Sequence, residues 1–221
     1  MHEYKLCGAF NKWYNKEDTL NACAVEAQLI TPIIEHYKPS NTLCLGNVPW
    51  KNLPTNTVRT STPECYSQSV DTLIDYRKMP FQDECFDLVI CPHWHEVVSH
   101  TTCLWSEIAR VLMPEGLAVM YSINAHGMPV LFQSLLNSDI RSWQKRVYSP
   151  AQLTHEAEVW QLEQAYYLYG GRQSSHSNHQ IQVQHQSRLF GTLHQVVLKK
   201  AVLATTMLGV DLSQWALNMS T

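Results

Sequence analysis

The sequence predicts an α/β fold in which helices cover both faces of a doubly wound, mostly parallel sheet. Three observations support this prediction. Short apolar runs alternate with amphipathic helical patterns between residues 18 and 168. The run Phe86–Cys91 is almost continuously apolar, as in a central parallel strand that is buried on both faces. With 221 residues, 45% of them hydrophobic, the chain is long enough for one domain with its own core.

The first half of the chain is predicted to form one helix and three strands. Thr19–Tyr37 places apolar residues at helical spacing, and Asp18 is a candidate N-cap. Pro32 is expected to bend or end this helix, because proline removes a backbone donor. The strands predicted before residue 76 are Thr42–Leu45, which is closed by Gly46, then Thr57–Thr60, and a run that ends at Leu73–Asp75.

The second half of the chain continues the alternation of strands and helices. After Phe86–Cys91, a helix is expected with its apolar stripe at Leu104, Ile108, Val111 and Leu112, ending at Pro114 and Gly116. Leu117–Ser122 and part of Gly191–Lys200 are predicted strands, and Ser149-Pro150 has the N-cap and N1 chemistry of a helix start. We therefore expect one domain over residues 1–200, with an N-terminal segment at 1–18, a polar loop at 172–188 and a C-terminal tail at 201–221.

Composition excludes several classes of protein. The net charge of −3 and the pI near 6.4 argue against a nucleic-acid binder, which usually carries a basic excess. The N-terminus lacks a signal-peptide h-region and no apolar run approaches ~18 residues, so neither export nor membrane insertion is expected. The 7 cysteines are widely spaced, without a CxxC pair, and predict reduced thiols in a cytoplasmic protein.

Three segments carry a resemblance to a known family. Asp75–Ile90 (DYRKMPFQDECFDLVI) resembles the acidic, Leu-Pro-Phe and Phe-Asp-hydrophobic signature of class I S-adenosylmethionine-dependent methyltransferases, in particular the type 11 group. Glu107–Gly116 resembles the helix-to-strand corner of this family, and Ser149–Leu153 resembles its later helix start. The three segments occur in the family's order and spacing, over about residues 20–200. The resemblance implies a Rossmann-like fold with a seven-stranded sheet and one antiparallel strand near the C-terminal edge.

The resemblance also implies a cofactor and residues that bind it. In the family, the acid at the position of Asp75 contacts the adenine amino group of S-adenosylmethionine, and the backbone that follows, here at Tyr76, helps to hold the ring. We expect further contacts from Gly46, Asn47 and Trp13; for Trp13 the alternative is packing of the N-terminal segment onto the core. Asp87 is expected to be structural, accepting nearby backbone donors.

One motif departs from the family pattern. In this family, the first strand usually ends in an acidic residue, and a G-x-G-x-G loop follows. The glycines of this loop let the backbone approach the ligand. Here Cys44 stands at the acidic position, and only Gly46 remains of the three glycines. Val48 and Trp50 replace the other two, and Pro49 and Trp50 are expected to restrict the loop and fill part of the crevice. The total of 8 glycines in the chain is low in part for this reason.

The segment after the fourth strand holds the densest group of chemically capable side chains. It contains Cys91, His93, His95, Glu96, His100 and Cys103. His93 or His95 is a candidate general base, with an unperturbed pKa of ~6.5. Zinc binding and ordinary hydrogen-bonded histidines are the alternatives, and the spacing matches no standard zinc pattern, so no metal is expected. If the segment is extended, the two histidines point to opposite sides and only one faces the crevice.

Other polar groups are interpreted as surface or capping features. His176, His179, His185 and His194 lie in or after a Gln- and Ser-rich stretch and are expected in a solvated loop. Asn124 ends the fifth strand, where substrate binding and capping are both open. The tail at 201–221 is a candidate contact for a protein partner or a second copy of the chain.

These observations predict an S-adenosylmethionine-dependent methyltransferase that acts on a small-molecule acceptor, with no nucleic-acid or membrane partner. The alternative is a catalytically inactive methyltransferase fold that serves as a binding or scaffold protein, because a fold alone does not carry function.

Overall fold

The computed structural model describes residues 22–46, 48–62, 70–124, 126–127, 147–170 and 191–202. These residues form four helices and seven strands. The helices are α1 (Ala22–Tyr37), α2 (Trp94–Val97), α3 (Thr101–Val111) and α4 (Pro150–Glu158). The strands are β1 (Thr42–Leu45), β2 (Thr57–Ser61), β3 (Thr72–Leu73), β4 (Phe86–Pro92), β5 (Leu112–Ile123), β6 (Leu162–Gly170) and β7 (Leu193–Lys200).

The strands form a single seven-stranded sheet in the order β3-β2-β1-β4-β5-β7-β6. β1 pairs in parallel with both β2 and β4, and β4 pairs in parallel with β5. β7 runs antiparallel to both of its neighbours, β5 and β6. The predicted doubly wound sheet with one antiparallel strand near the C-terminal edge is confirmed.

Each face of the sheet has its own apolar core. One core packs α1 against alternate residues of β1, β4, β5 and β7, with Leu29, Ile30 and Ile33 at its centre. The other packs α3 and α4 against the opposite residues of the same strands, with Leu104, Ile108 and Leu153 at its centre. The period of two along the strands therefore assigns every side chain near the carboxyl ends to one face or the other.

Helix α1 continues through Pro32 to Tyr37, so of the two outcomes predicted for this proline, a bend or an end of the helix, the end does not occur. The turn that precedes Pro32 receives outside support. The amide Nδ2 of Asn52 donates to the carbonyl of Ala27 over 2.7 Å and also to the hydroxyl of Thr31. A polar side chain from the loop after β1 thus stabilises the region of the helix that proline weakens. The predicted start at Thr19 and the cap at Asp18 lie outside the described residues.

The corner between α3 and β5 also differs from its prediction. The helix ends at Val111 and not at Pro114, and Leu112 is the first residue of β5, paired with Phe86. Glu115 adopts a φ of 66°, and a Cβ at Gly116 would lie 2.8 Å from the carbonyl oxygen of Met113. Such a tight corner requires glycine. The sequence pattern assigned Leu112 to the helix because its spacing from Leu104 and Ile108 fits a helical apolar stripe. A buried first residue of a strand can have the same spacing.

Two predicted local features are confirmed. The carboxylate of Asp87 accepts the backbone N–H groups of Ser40 and Asn41, over 2.6 and 3.0 Å. Ser149 caps α4 through a reciprocal capping box with Gln152, with Pro150 as the first helical residue. By contrast, β3 is shorter than predicted and ends at Leu73, although the N–H of Ile74 still bonds to the carbonyl of Ser61.

Within the described part of the chain, no helix is both long and apolar enough to cross a membrane. The cysteines that the structure describes, Cys23, Cys44, Cys85, Cys91 and Cys103, are all free thiols. The division into a domain over residues 1–200 and a tail stays a prediction, since residues 203–221 lie outside the described part, and so does the cytoplasmic location.

Candidate active site at the carboxyl ends of β1 and β4

The site lies where the strand order reverses. The chain winds outward from β1 through β2 to β3, and in the other direction from β4 to β5. In open α/β sheets, ligands bind in the crevice outside the carboxyl ends of the strands at this switch point. Here the residues at this point of the sheet are Gly46 after β1 and His93 after β4.

Gly46 makes the turn that opens the crevice on the β1 side. Its φ of 115° is unfavourable for any residue with a Cβ, and its N–H bonds to the carbonyl of Thr60 over 2.8 Å. A Cβ built here would lie 2.9 Å from Nε1 of Trp94. The space above this glycine is therefore occupied by the indole of Trp94, which is 5% exposed.

The positions of the two missing glycines belong to the core. Val48 and Trp50 are both buried, in the apolar core on the α1 face. Trp50 packs edge-on against Tyr121 with 5.5 Å between ring centroids. Residues 48–56 form no helix between β1 and β2, so these side chains cover the sheet in place of one. The tryptophan that covers Gly46 is thus Trp94, whereas Trp50 packs on the face of the sheet.

Asp75 lies at the rim of the crevice, two residues after β3. Arg77 holds its carboxylate with the guanidinium, over 2.8 Å from Nε to Oδ1 and from Nη2 to Oδ2, and with its backbone N–H. The hydrogen bonds from Arg77 lower the pKa of Asp75, which is therefore ionised at neutral pH. The side chain is 48% exposed, so the carboxylate remains accessible to a ligand.

Tyr76 connects this rim to the centre of the crevice. Its ring is buried and meets the indole of Trp94 edge-on, with 6.1 Å between centroids. The loop that follows is fixed by Arg110, whose guanidinium donates to the carbonyls of Met79 and Phe81 over 3.0 and 2.8 Å. Tyr76 and Trp94 therefore link the loop after β3 to Gly46 at the end of β1.

His93 lies between two carboxylates. Its Nε2 is 2.5 Å from Oε1 of Glu26 in α1, and its Nδ1 is 2.8 Å from Oε2 of Glu96. All three side chains are at most 1% exposed. The second oxygen of Glu96 accepts the N–H of Ile123 over 2.8 Å, which ties the group to β5. We call Glu26, His93 and Glu96 the ionised cluster.

The electrostatics of the ionised cluster keep His93 protonated. Burial alone would lower the pKa of this imidazole, but the charges and hydrogen bonds of Glu96 and Glu26 outweigh it and raise the pKa to about 10. Both ring nitrogens then act as donors. An imidazolium with both nitrogens engaged is unsuited to accept a further proton, so the geometry disfavours His93 as a general base.

His95 lies in a different environment. Its Nε2 is hydrogen-bonded to the hydroxyl of Ser122 near the end of β5. Ser122 is the register partner of His194 in β7, so these two side chains project from the same face of the sheet. We call His95, Ser122 and His194 the neutral cluster.

Both histidines of the neutral cluster are uncharged at neutral pH. Burial is the largest cause: it places the pKa of His95 well below its usual value and that of His194 at about 3, and the charge of nearby His93 lowers both further. Nδ1 of His95 and both ring nitrogens of His194 are buried without a hydrogen-bond partner. Each such atom costs about 1–3 kcal/mol. The neutral cluster therefore contains ring nitrogens that no protein group satisfies.

The structure corrects the interpretation of His194. It was expected in a solvated loop, but it lies in β7 and is 1% exposed, because pairing with both β5 and β6 covers it. His176, His179 and His185 lie outside the described residues, as do Trp13 and Asn47. Sequence reasoning also missed Glu26, although an acidic residue inside the apolar stripe of a helix was an available signal.

The remaining predicted groups do not join the site. Cys91 is fully buried, which raises the pKa of its thiol, and His100 is exposed. Asn124 donates from Nδ2 to the carbonyl of Gly191 over 2.9 Å and accepts the N–H of His126, so it has a capping role. Among the residues that the structure describes, no group of three or more His, Cys, Asp or Glu is arranged to hold a metal ion.

Comparison with known proteins shows which proteins this chain resembles. The sequence model of the methyltransferase domain family matches residues 56–120, the stretch that contains Asp75 and the ends of β3 and β4. The resemblance to class I S-adenosylmethionine-dependent methyltransferases is confirmed. The family implies S-adenosylmethionine as the cofactor. A comparison with curated proteins finds no match.

Solved methyltransferase structures share the fold. One from Thermotoga maritima, described as a possible histamine N-methyltransferase, superposes with a TM-score of 0.60 at 13% identity, covering 88% of this chain and 99% of that one. The N-methyltransferase NodS from Bradyrhizobium japonicum, solved with S-adenosyl-L-homocysteine, gives 0.56 at 15% identity, covering 90% and 99%. At these identities the likeness establishes the fold alone.

Proposed function

We propose that this protein is an S-adenosylmethionine-dependent methyltransferase that acts on a small-molecule acceptor. The observation that carries the proposal is the position of Asp75. This ionised, accessible carboxylate lies at the rim of the switch-point crevice, within the segment that matches the methyltransferase domain. A carboxylate there can accept a hydrogen bond from the amino group of an adenine ring.

The adenine end of the crevice fits the cofactor better than the opposite end. The Asp75 side chain is 48% exposed although Arg77 contacts both carboxylate oxygens, and Tyr76 offers a buried aromatic ring beside it. At the Gly46 end, the space that the missing Cβ leaves is filled by the indole of Trp94. This position of Trp94 leaves no room for a ligand that packs directly on the Gly46 backbone, and binding there requires Trp94 to move.

The chain's own residues have distinct tasks in this proposal. When bound, S-adenosylmethionine supplies an electrophilic methyl group on a sulfonium sulfur. Asp75 orients the adenine, and the ionised cluster fixes the backbone at the end of β4. In the tautomer in which Nε2–H of His95 donates to Ser122, Nδ1 of His95 is a free acceptor that can take a proton from a hydroxyl or amine.

Calorimetric titration with S-adenosylmethionine and S-adenosylhomocysteine tests the proposal. We expect a Kd below ~100 μM for the unaltered protein, which corresponds to roughly 5.5 kcal/mol. Asp75→Ala should weaken binding at least ~10-fold through the loss of a charge-assisted hydrogen bond. Glu163→Ala is the matched control, because it removes one exposed carboxylate from β6, at the far edge of the sheet. The absence of binding up to millimolar concentrations would reject the proposal.

The covering of Gly46 favours a second candidate function, a methyltransferase fold retained for binding or assembly. Trp94→Ala separates the two possibilities. An enzyme whose crevice is narrowed by Trp94 should bind S-adenosylmethionine more tightly after this substitution, provided that the variant still unfolds cooperatively. A binding protein that has lost the cofactor site should bind it in neither form. Contact with a protein partner or a second copy through residues 201–221 stays a prediction.

A further inference from the structure

The neutral cluster holds three imidazole nitrogens that the protein leaves unsatisfied. They are Nδ1 of His95 and both nitrogens of His194. The large majority of buried polar atoms in folded proteins have partners. Six other buried side-chain atoms of the described residues also lack one, each on a different side chain. These three differ because they belong to two rings that neighbour the same hydroxyl, that of Ser122. In the ionised cluster, only a few residues away, both nitrogens of His93 are paired. The difference indicates that a group supplied by a ligand belongs beside His95 and His194.

Aromatic rings flank both imidazoles. Tyr148 meets His95 edge-on, with 5.6 Å between centroids and an interplanar angle of 70°. Tyr169 meets His194 in the same manner, at 6.0 Å and 66°. Flat side chains around a few convergent polar atoms are typical of sites for planar small molecules.

The charge states of His95 and His194 limit which chemical groups of a ligand could bind beside them. Two neutral imidazoles can accept from or donate to a hydroxyl or an amine, but they offer no positive charge to a phosphate or carboxylate. The nearest buried cation, His93, is already held by Glu26 and Glu96. An uncharged polar group is therefore the best match.

We propose that the neutral cluster is the subsite for the methyl acceptor, and that it takes a planar small molecule bearing a hydroxyl or amine group that hydrogen-bonds to His95 and His194. Ser122 is a positioning residue, because its hydroxyl fixes the ring of His95. The role as acceptor subsite rests on the proposed function. The binding itself requires no S-adenosylmethionine and can be tested without it.

Nuclear magnetic resonance of the full chain with ¹⁵N-labelled histidine provides the test. The probes are phenol and aniline, and toluene is the control of the same shape without a hydrogen-bonding group. We expect phenol and aniline to shift the ring-nitrogen resonances of His95 and His194, and toluene to leave them in place. His194→Phe should weaken phenol binding at least ~10-fold, whereas His100→Phe, at an exposed histidine, should not change it.

Two results would overturn the inference: equal shifts with toluene, or no shift with either polar probe up to about 20 mM. The comparison of phenol and aniline with toluene on the unaltered protein tests the subsite even if His194→Phe fails to fold.

Failure of the subsite can be distinguished from failure of the proposed function. If phenol shifts the resonances of both histidines but S-adenosylmethionine does not bind, the binding site for a polar planar molecule is supported and the methyltransferase function is rejected. If S-adenosylmethionine binds but phenol causes no shift, only the proposed subsite is rejected.

Discussion

His93 and His95 are two positions apart, equally buried, and opposite in charge. His93 is an imidazolium between Glu26 and Glu96, whereas His95 is a neutral ring bonded to Ser122. Burial by itself disfavours the charged form of both. At equal burial, the hydrogen-bonding and charged partners therefore decide the protonation state of these two histidines.

The largest expected effect is the loss of the imidazolium. His93→Asn leaves two buried carboxylates without a cation, and we expect it to lower the free energy of unfolding by about 3–5 kcal/mol. Asparagine tolerates the φ of 59° at this position, so the backbone itself is preserved. His95→Asn, which removes a neutral ring, should cost about 1–3 kcal/mol. Urea denaturation of both variants measures the difference, and equal losses would contradict the ionised cluster.

The next effect is a loss of stability at alkaline pH. The pKa of His93 is raised to about 10, above the ~6.5 of an unfolded chain, so the folded state holds the extra proton between these values. The stabilisation is complete below pH ~6.5 and decreases as the pH rises through about 10. Between pH 6.5 and 8.5, the free energy of unfolding should fall more steeply in the unaltered protein than in His93→Asn. Parallel curves would show that His93 is not the group responsible.

The neutral cluster should act in the opposite direction. The pKa values of His95 and His194 are lowered, the latter to about 3, so below pH ~6.5 the unfolded state binds protons that the folded state does not. Stability should therefore fall as the pH drops from ~6.5. His194→Gln cannot take up this proton and should flatten the slope between pH ~6.5 and ~4.5, measured by urea denaturation. A slope that does not change in this variant would argue against a neutral His194.

The smallest effect concerns Ser122. Ser122→Ala removes one buried hydrogen bond and should cost about 1 kcal/mol. In a double-mutant cycle with His95→Asn, the two losses should be less than additive by a similar amount. A cycle between Ser122→Ala and His93→Asn should give a smaller coupling energy, because the hydroxyl has no bond to His93. Equal coupling in both cycles would contradict the separation of the clusters.

Features that depend on neighbouring residues could be predicted from the sequence. The cap at Ser149, the backbone clamp at Asp87 and the strand beginning at Phe86 all follow from local patterns. The continuation of the helix through Pro32 could not be predicted, because the hydrogen bond that stabilises this part of the helix comes from Asn52, in the loop after β1. Trp94 was not expected over Gly46 for a similar reason, since two separate strand ends bring these residues together.

The fold and the family segment could be predicted without a structure, because alternating periodicities and the Asp75–Ile90 signature are local properties of the chain. The charge states of the histidines could not be predicted in this way. Glu26 reaches His93 from 67 residues away, and pairing of β7 with β5 buries His194 beside Ser122. Charge states depend on the groups that burial brings within hydrogen-bonding distance, and those groups are set by the packing of the sheet and not by the neighbouring residues.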